Sequence, residues 1–382
     1  MRAPRSLGRM ISVLGLLAAV LPIWPSATVS AAEESGTETD RVDTEYAGIP
    51  LIDTGPVRVR EQFLLDMGFL AFDPATAEIL DPGQWQIDFV QSGTNSWSQS
   101  DAVDEVLTSR DERAPLTLAR LRAIEGGGGK GLFYVDGELY RTSLSVRRGL
   151  TDRWQVAVTV PLLDFGGGFA DGLVQETHDA LGIPQAGRLG VPKDDYTVYL
   201  RDSGGNELFR TVPPDPALGD VTLTLKRQLH RGDSLDVAIE GHAKLPTGDE
   251  SALYSSGATD WGILLAASRY FDRSCIHLAG GGVWAEASDL YHTEDQLLFM
   301  GFAAWERALG EKSTVFVQGT VAESPFQGLE LDRLEDLSYL LDFGFKRSLG
   351  PETVAFVALS ENLVNFGSSA DVGLHLGVTH LF

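Results

Sequence analysis

Hydrophobic and polar residues alternate along the chain from about residue 83 to its end. In the clearest segment, Trp154–Val160, one tryptophan and three valines share one face, while Gln155, Ala157 and Thr159 share the other. A period of two is the side-chain period of a β-strand, and such strands need about ten residues to cross a bilayer. The same alternation recurs in Trp85–Val90, Glu138–Arg147, Val221–Leu225, Leu235–Leu245, Tyr339–Arg347 and Val372–Phe382.

Short and long connections follow one another in strict order between these segments. The short ones are rich in turn residues: Gly149–Asp152, His230–Asp233, Phe271–Ser274, Leu309–Lys312 and Leu349–Glu352. The long ones span 93–130, 162–217, 247–258, 286–294, 322–334 and 362–369. Outer-membrane barrels have short periplasmic turns and long extracellular loops. The pattern therefore predicts an all-β protein in which 83–382 form a transmembrane antiparallel up-and-down barrel of about 12 strands.

The first 82 residues lack this alternation. Residues 1–31 contain three arginines, an apolar run and small residues ending at Ala31, which predicts a cleaved signal peptide. No later apolar stretch approaches the roughly 18 residues of a membrane helix. We predict that 32–82 form a periplasmic N-terminal segment, in which Phe63–Leu70 is a short apolar helix that docks at or inside the periplasmic mouth and, as a plug, narrows any channel. The alternative is a loosely attached tail.

Charge and cysteine content exclude several classes of protein. The formal net charge is −24, and no cluster of lysine and arginine follows the leader, so we expect no nucleic-acid partner. A single cysteine, Cys275, excludes an intrachain disulfide framework and a multi-cysteine zinc site. We expect neither a metal nor a cofactor.

The last strand ends the chain on an aromatic residue, Phe382, with Val372, Leu374 and other apolar residues on the same face. A terminal aromatic on an alternating strand resembles the signal that the barrel assembly machinery reads on its clients. Aromatic residues near strand ends are typical of the interfacial girdles of membrane barrels. We therefore expect a location in the outer membrane of a Gram-negative bacterium, with outer-membrane lipid and lipopolysaccharide as surroundings and the assembly machinery as a partner during biogenesis.

Three stretches of the sequence resemble the DUF3187 family, uncharacterised outer-membrane barrels of Gram-negative bacteria. They comprise Gly55–Arg60 with Ala77–Leu80 and Gly83–Trp85, then Asp136–Arg141 with Gly149–Trp154, and lastly His178–Arg188 with Ser360–Leu363 and the final strand. The His178–Arg188 segment is the most specific of these, because many barrels share the strand and turn pieces. The resemblance implies a location and a fold but no activity.

The polar faces of the predicted strands define candidate lumen-lining residues. Asp88 and Arg141 are expected to pair across strands, as are Lys226 and either Asp236 or Glu240. One interpretation is that these pairs fill and stiffen the barrel, and the other is a selective pore lined by the same charges. The full set is Asp88, Arg141, Arg147, Lys226, Asp236, Glu240, His242, Lys244, Asp342, Lys346 and His375.

The connection 162–217 is the longest, and loops of that length are usually functional or disordered. Residues Asp171–Leu181 read as a short helix. His178 and Arg188 are therefore candidates for binding a carboxylate, a sugar or a metal on the outside of the cell. The alternative is a capped surface helix without a ligand.

These patterns favour a channel or transporter for small polar or lipidic solutes. One alternative is a barrel enzyme acting on outer-membrane lipid, using His242 or His277 with Ser268 or Ser274, but no nucleophile motif surrounds them, so we expect no catalysis. The other is a structural or adhesive barrel with ligand-binding external loops. Neither the substrate nor the oligomeric state follows from the sequence.

Overall fold

Twelve long antiparallel strands form a closed barrel. The computed structural model describes residues 55–125, 130–168, 171–181, 185–331, 333–362 and 367–382, so the predicted signal peptide and residues 32–54 lie outside the described residues. The barrel strands are β1 (Trp85–Gln99), β2 (Leu132–Thr151), β3 (Trp154–Gly166), β7 (Val221–Arg231), β8 (Leu235–Leu245), β9 (Asp260–Tyr270), β10 (Ser274–Ala285), β11 (Gln296–Gly310), β12 (Ser313–Ala322), β13 (Ser338–Gly350), β14 (Thr353–Asn362) and β15 (Val372–Leu381).

Each barrel strand pairs with its neighbours in chain order, and β1 pairs with β15 from Gln86↔Leu381 to Asn95↔Val372. This last ladder closes the barrel and leaves no unpaired edge. Short turns join the strands at one end, as between Thr151 and Trp154, and long loops join them at the other. We call these the short-turn end and the long-loop end. The predicted fold class is confirmed, and no helix among the described residues is long and apolar enough to span a bilayer.

Exposure alternates along the strands as the sequence predicts. In β3 the outward Val158 and Leu162 are 41% and 42% exposed, whereas the inward Gln155 and Thr159 are 4% and 8% exposed. Trp85 at the short-turn end and Trp261 at the long-loop end also point outward and are exposed. An apolar outer face and a polar inner face are what a lipid-embedded barrel requires.

The loops after β1 and β3 form an ordered cap at the long-loop end. It contains α1 (Asp101–Thr108), α2 (Leu118–Ala123), α3 (Asp171–Leu181) and the short strands β4 (Thr197–Arg201), β5 (Glu207–Arg210) and β6 (Ala217–Leu218). β4 pairs with the start of β2, and β5 pairs with β4. Consequently β1 reaches Gln99 and β2 begins at Leu132, beyond the limits that the sequence pattern indicated. The extensions are buried on both faces by the cap, so they show no alternation.

Residues 55–80 lie inside the barrel, and we call this segment the plug. Lys346 of the wall donates a hydrogen bond to the carbonyl of Gly55 near the short-turn end. The chain then rises to a 3₁₀ helix, Leu64–Gly68, close to the long-loop end, where the Leu64 amide donates to the Ser96 hydroxyl at 3.2 Å. It returns to the short-turn end, where the Leu80 amide donates to the side-chain oxygen Oε1 of Gln155 at 2.9 Å.

The plug contains the apolar segment predicted to dock at or inside the periplasmic mouth, and its tip packs under the long loops. Phe69 is 3% exposed, and its ring lies 5.5 Å from Tyr291 and 5.7 Å from Phe326. The tip lies there because the loops after β10 and β12 supply an apolar surface that the polar lower lumen lacks. A Cβ on Gly68 would lie only 2.7 Å from the Ser255 backbone, so glycine permits this close contact.

Candidate functional site

All of the predicted lumen residues lie on the inner face of the barrel and are buried. None is more than 9% exposed, because the plug covers the wall side chains that would otherwise line an open lumen. Among the described residues, one backbone-to-backbone hydrogen bond joins the plug to the rest of the barrel, from the Ser256 amide to the Gly68 carbonyl at 3.2 Å. The other hydrogen bonds between the plug and the wall involve a side chain. Side-chain chemistry therefore holds the plug in the barrel.

Three wall lysines each connect a wall carboxylate to a plug carbonyl. Lys226 lies 3.1 Å from Glu240 and donates to the Thr76 carbonyl. Lys346 lies 2.8 Å from Glu306 and donates to Gly55, as described above. An ammonium group has three donors, so it can serve both partners at once.

Lys244 is the third of these lysines and has the most partners. It lies 3.0 Å from Asp220 and 3.1 Å from Asp260, and it donates to the Gly68 carbonyl and to Ser256. Asp260 also holds the plug directly, because the Leu70 amide donates at 2.8 Å to the same oxygen, Oδ2, that faces Lys244. This cluster fixes the tip of the plug at the long-loop end.

One predicted ion pair is present and one is wrong. Lys226 is directly opposite Glu240 in the β7–β8 ladder and pairs with it. Asp88, however, forms a bidentate pair with Arg147 at 2.7 to 2.9 Å rather than with Arg141. The β1–β2 register places Arg141 opposite Ser92, too far along the strand to reach Asp88.

Arg141 lines two adjoining cavities between the plug and the wall. They have volumes of about 20 and 30 Å³, enough for one or a few water molecules, and they share Arg60 and Thr159 as further lining residues. Arg141 is 4% exposed and forms no hydrogen bond or close ion pair among the described residues. The carboxylate whose charge acts on it is Asp73 of the plug, which lines the larger cavity. The larger cavity is also lined by Arg58 and Arg147, so cations predominate along this side of the plug.

Glu61 of the plug lies in a pocket of backbone donors. Its carboxylate accepts hydrogen bonds from the amides of Gln62, Phe63 and Ala370 at 2.9, 3.0 and 2.9 Å. Burial nevertheless raises the pKa of Glu61 to about 7, because the charged form loses its hydration. The charge of the plug near the long-loop end therefore depends on pH in the neutral range.

His375 and Asp342 belong to a hydrogen-bond chain that ends on the plug. Ser360 donates to Asp342 and lies 2.7 Å from His375 Nε2, whose Nδ1 lies 2.8 Å from the Ser92 hydroxyl. Gln62 of the plug donates to that hydroxyl at 3.0 Å. His242 and Asp236 have local partners instead, with His242 3.1 Å from Glu240 and Asp236 accepting from the Gly232 amide at 3.2 Å.

Ser268, His277 and Glu306 lie in a row that resembles a hydrolase triad. His277 Nδ1 is 2.8 Å from the Ser268 hydroxyl and its Nε2 is 3.4 Å from Glu306. All three residues are 0% exposed, and the Ser268 oxygen accepts a hydrogen bond from the amide of Ala77 in the plug at 2.8 Å. A nucleophile needs room for a substrate carbonyl, so this arrangement connects the wall to the plug and leaves no site for substrate.

Of the two loop candidates, the structure describes the side chain of Arg188. Arg188 is 2% exposed and donates to Asp171, Asn95 and Asp371, with its guanidinium 5.0 Å from the Trp97 ring. Its donors are used inside the cap, which holds the loop against β1 and the start of β15. The side chain of His178 lies outside the described residues.

Phe382 lies at the seam where the barrel closes. Its side chain is 64% exposed, and its amide donates to the Trp85 carbonyl at 2.8 Å. Its use as an assembly signal stays a prediction.

Sequence reasoning missed the plug residues that face the cavities, above all Arg58, Arg60 and Asp73. The apolar run Phe63–Leu70 indicated a docking segment, but the polar residues beside it have no strand or helix period that would show which of them face the wall. Asp260 was missed too, although it lies directly opposite Lys244 in the β8–β9 ladder.

The closed barrel, its apolar outer face and its filled polar lumen define a protein of the outer-membrane β-barrel class. The model of the DUF3187 family, described as proteins of unknown function, matches residues 130–382, which is more than half of the chain. The chain belongs to the DUF3187 family. No curated protein matches its sequence.

Solved outer-membrane barrels share the fold. The COG4313 outer membrane channel from Pseudomonas putida F1 is 11% identical with a TM-score of 0.51, over 82% of this chain and 100% of that chain. The NanC porin is 10% identical with a TM-score of 0.41, over 77% and 98% of the two chains. The CymD monoaromatic hydrocarbon channel is 11% identical with a TM-score of 0.38, over 87% and 99%. At these identities the likeness extends to the fold and not to a substrate.

Proposed function

We propose that this protein is an outer-membrane channel for small polar solutes, closed at rest by its own plug and without catalytic activity. The observation that carries the proposal is the guanidinium of Arg141, which faces the cavities between plug and wall and forms no hydrogen bond or close ion pair among the described residues. The opposite charge that acts on it is Asp73 of the plug, which lines the same cavity. A wall built only for stability would hydrogen-bond each buried charge directly, because burying a charge without such a partner is costly. A guanidinium that faces a polar cavity suits a solute with a carboxylate or phosphate group.

The cavities extend beside the plug along β2, β3, β7 and β8. Gln155 and Glu240 line them toward the short-turn end, and Pro161 and Asp220 line them toward the long-loop end. Their present volumes hold water and no larger solute, so passage requires the plug to shift. An opening beside the plug leaves the polar wall exposed to the solute, which favours polar over lipidic cargo.

Planar-bilayer recording of the refolded full chain tests the proposal. We expect rare, brief openings with a preference for chloride over potassium, and we expect Arg141→Gln to lower that preference. Arg153→Gln is the matched control, because it removes the same charge from an exposed position in the turn between β2 and β3. If neither the wild type nor the variant Phe69→Ala, which weakens the packing of the plug tip, ever conducts, the protein is not a channel.

A further inference from the structure

Five arginines form a regular belt on the outside of the barrel near the short-turn end. Each lies near the end of a strand that runs into a short turn, and all five are exposed. A sixth strand, β15, also runs toward this end of the barrel, and it has His380 at the corresponding place. The belt consists of Arg148 on β2, Arg227 on β7, Arg269 on β9, Arg307 on β11 and Arg347 on β13.

The belt residues occupy every second strand, so neighbouring arginines are separated by two strand spacings, or about 10 Å across the sheet. The outward faces of the barrel strands carry no other arginine or lysine, judged from the strand register. At the long-loop end the outward strand residues include acids, Asp164 and Glu361. The outer face is therefore cationic at one rim and anionic at the other.

Aromatic rings orient three of the belt guanidinium groups. Arg148 lies 4.8 Å from the Trp85 ring and Arg227 lies 5.2 Å from the Trp154 ring. Arg269 lies 5.5 Å from the Phe271 ring. A guanidinium stacked on a ring keeps its N–H edge free, and that planar edge matches the oxygens of a phosphate.

The turns beyond the belt contain carboxylates, for example Asp152 and Asp272, but they do not neutralise it. Among the residues that the structure describes, no ion pair joins a belt arginine to a carboxylate. Arg347 donates one hydrogen bond, to the Ser313 hydroxyl. A ring of exposed cations without carboxylate partners beside interfacial tryptophans is suited to the headgroup layer of a bilayer.

We infer that the belt binds the phosphate groups of anionic glycerophospholipids in the leaflet at the short-turn end. The inference rests on the proposed location of the barrel in a bilayer but not on channel activity. Each arginine is expected to favour an anionic over a zwitterionic lipid by about fivefold. The acidic rim at the opposite end disfavours phosphates there, so the belt also fixes the orientation of the barrel between two unlike leaflets.

Native mass spectrometry of the refolded full chain, taken from bilayers of equal phosphatidylglycerol and phosphatidylcholine, tests the inference. We expect several phosphatidylglycerol molecules to remain bound to the wild type. The variant with all five belt arginines replaced by glutamine should lose this preference, whereas replacement of all five by lysine should keep part of it. Folding of each variant is checked by its heat-modifiable mobility in gels.

The matched control removes three cations from the turns, Arg153→Gln, Arg273→Gln and Lys312→Gln, and should retain the wild-type preference. Equal phosphatidylglycerol retention by the wild type and the glutamine variant would overturn the inference, as would an equal loss in the turn control. A parallel sample with lipopolysaccharide identifies the source of the phosphate. Loss of bound lipopolysaccharide but not of phosphatidylglycerol from the glutamine variant would also overturn it.

Discussion

Replacing Phe69 at the tip of the plug by alanine should open the channel. The Phe69 ring is almost fully buried and packs against Tyr291 and Phe326, whose rings lie 5.4 Å from each other. Removal of a buried phenylalanine ring costs about 3 to 5 kcal/mol through lost apolar contact and the cavity left behind. The loss affects the seated plug only, because a displaced tip does not have these contacts.

A factor of ten in an equilibrium corresponds to about 1.4 kcal/mol, so the ratio of displaced to seated plug should rise by roughly two to three and a half powers of ten. In planar-bilayer recordings this appears as a higher open probability with the same unit conductance. Phe89→Ala is the matched control, because Phe89 is 46% exposed on the lipid-facing side of β1. Equal open probabilities for Phe69→Ala and Phe89→Ala, with both barrels folded, would refute the claim that the plug tip closes the lumen.

Three further predictions concern the same plug. Gly68→Ala should also raise the open probability, because its Cβ would lie only 2.7 Å from the Ser255 backbone and would clash with it. An unchanged open probability in Gly68→Ala would contradict this close contact between the plug and the Ser255 loop. Lowering the pH from about 7 to 5 should reduce the open probability, because burial raises the pKa of Glu61 to about 7 and only the seated plug gains the proton. Glu61→Gln should abolish this pH response. A pH response that persists in Glu61→Gln would show that another group is responsible. Lys244→Met should lower the free energy of unfolding in urea by about 3 to 5 kcal/mol, because Asp220 and Asp260 are left buried without their cation. Adding Asp260→Asn should recover part of that loss.

The barrel could be predicted from the sequence because a strand with one face in lipid and the other in a polar lumen alternates apolar and polar residues with a period of two. The order of short and long connections then gave the strand number. Boundaries were less certain at the long-loop end, where β1 and β2 continue into the cap and are covered on both faces. The alternation disappears there, although the strands do not.

Ion pairs could be predicted only where a short turn fixes the register. Lys226 and Glu240 lie on β7 and β8, which one tight turn joins, and they pair. Asp88 and Arg141 lie on strands joined by a long loop, so nothing local sets their relative position. Packing sets it instead and brings Arg147 to Asp88.

The position of the plug could not be predicted from its own sequence. Its tip is apolar, which indicated a docking segment, but the apolar surface that receives it is assembled from loops far away in the chain, such as those carrying Tyr291 and Phe326. Its arms are held by wall lysines whose partners are backbone carbonyls, and every residue has a carbonyl. Such contacts leave no mark in the sequence.

Disulfide formation in the folded barrel tests most directly whether residues 55–80 occupy the lumen. The Leu64 amide lies 3.2 Å from the Ser96 hydroxyl, and the Leu64 side chain lies 3.3 Å from the Cβ position of Gly137, the residue opposite Ser96 in the β1–β2 ladder. Cysteines introduced at positions 64 and 96 should therefore form a disulfide on mild oxidation. Native Cys275 is buried on β10 and is replaced by alanine to exclude mispairing. We predict nearly complete cross-linking of the Leu64→Cys, Ser96→Cys variant in isolated outer membranes and none in either single variant. Two free thiols in a correctly folded, heat-modifiable barrel would contradict the account.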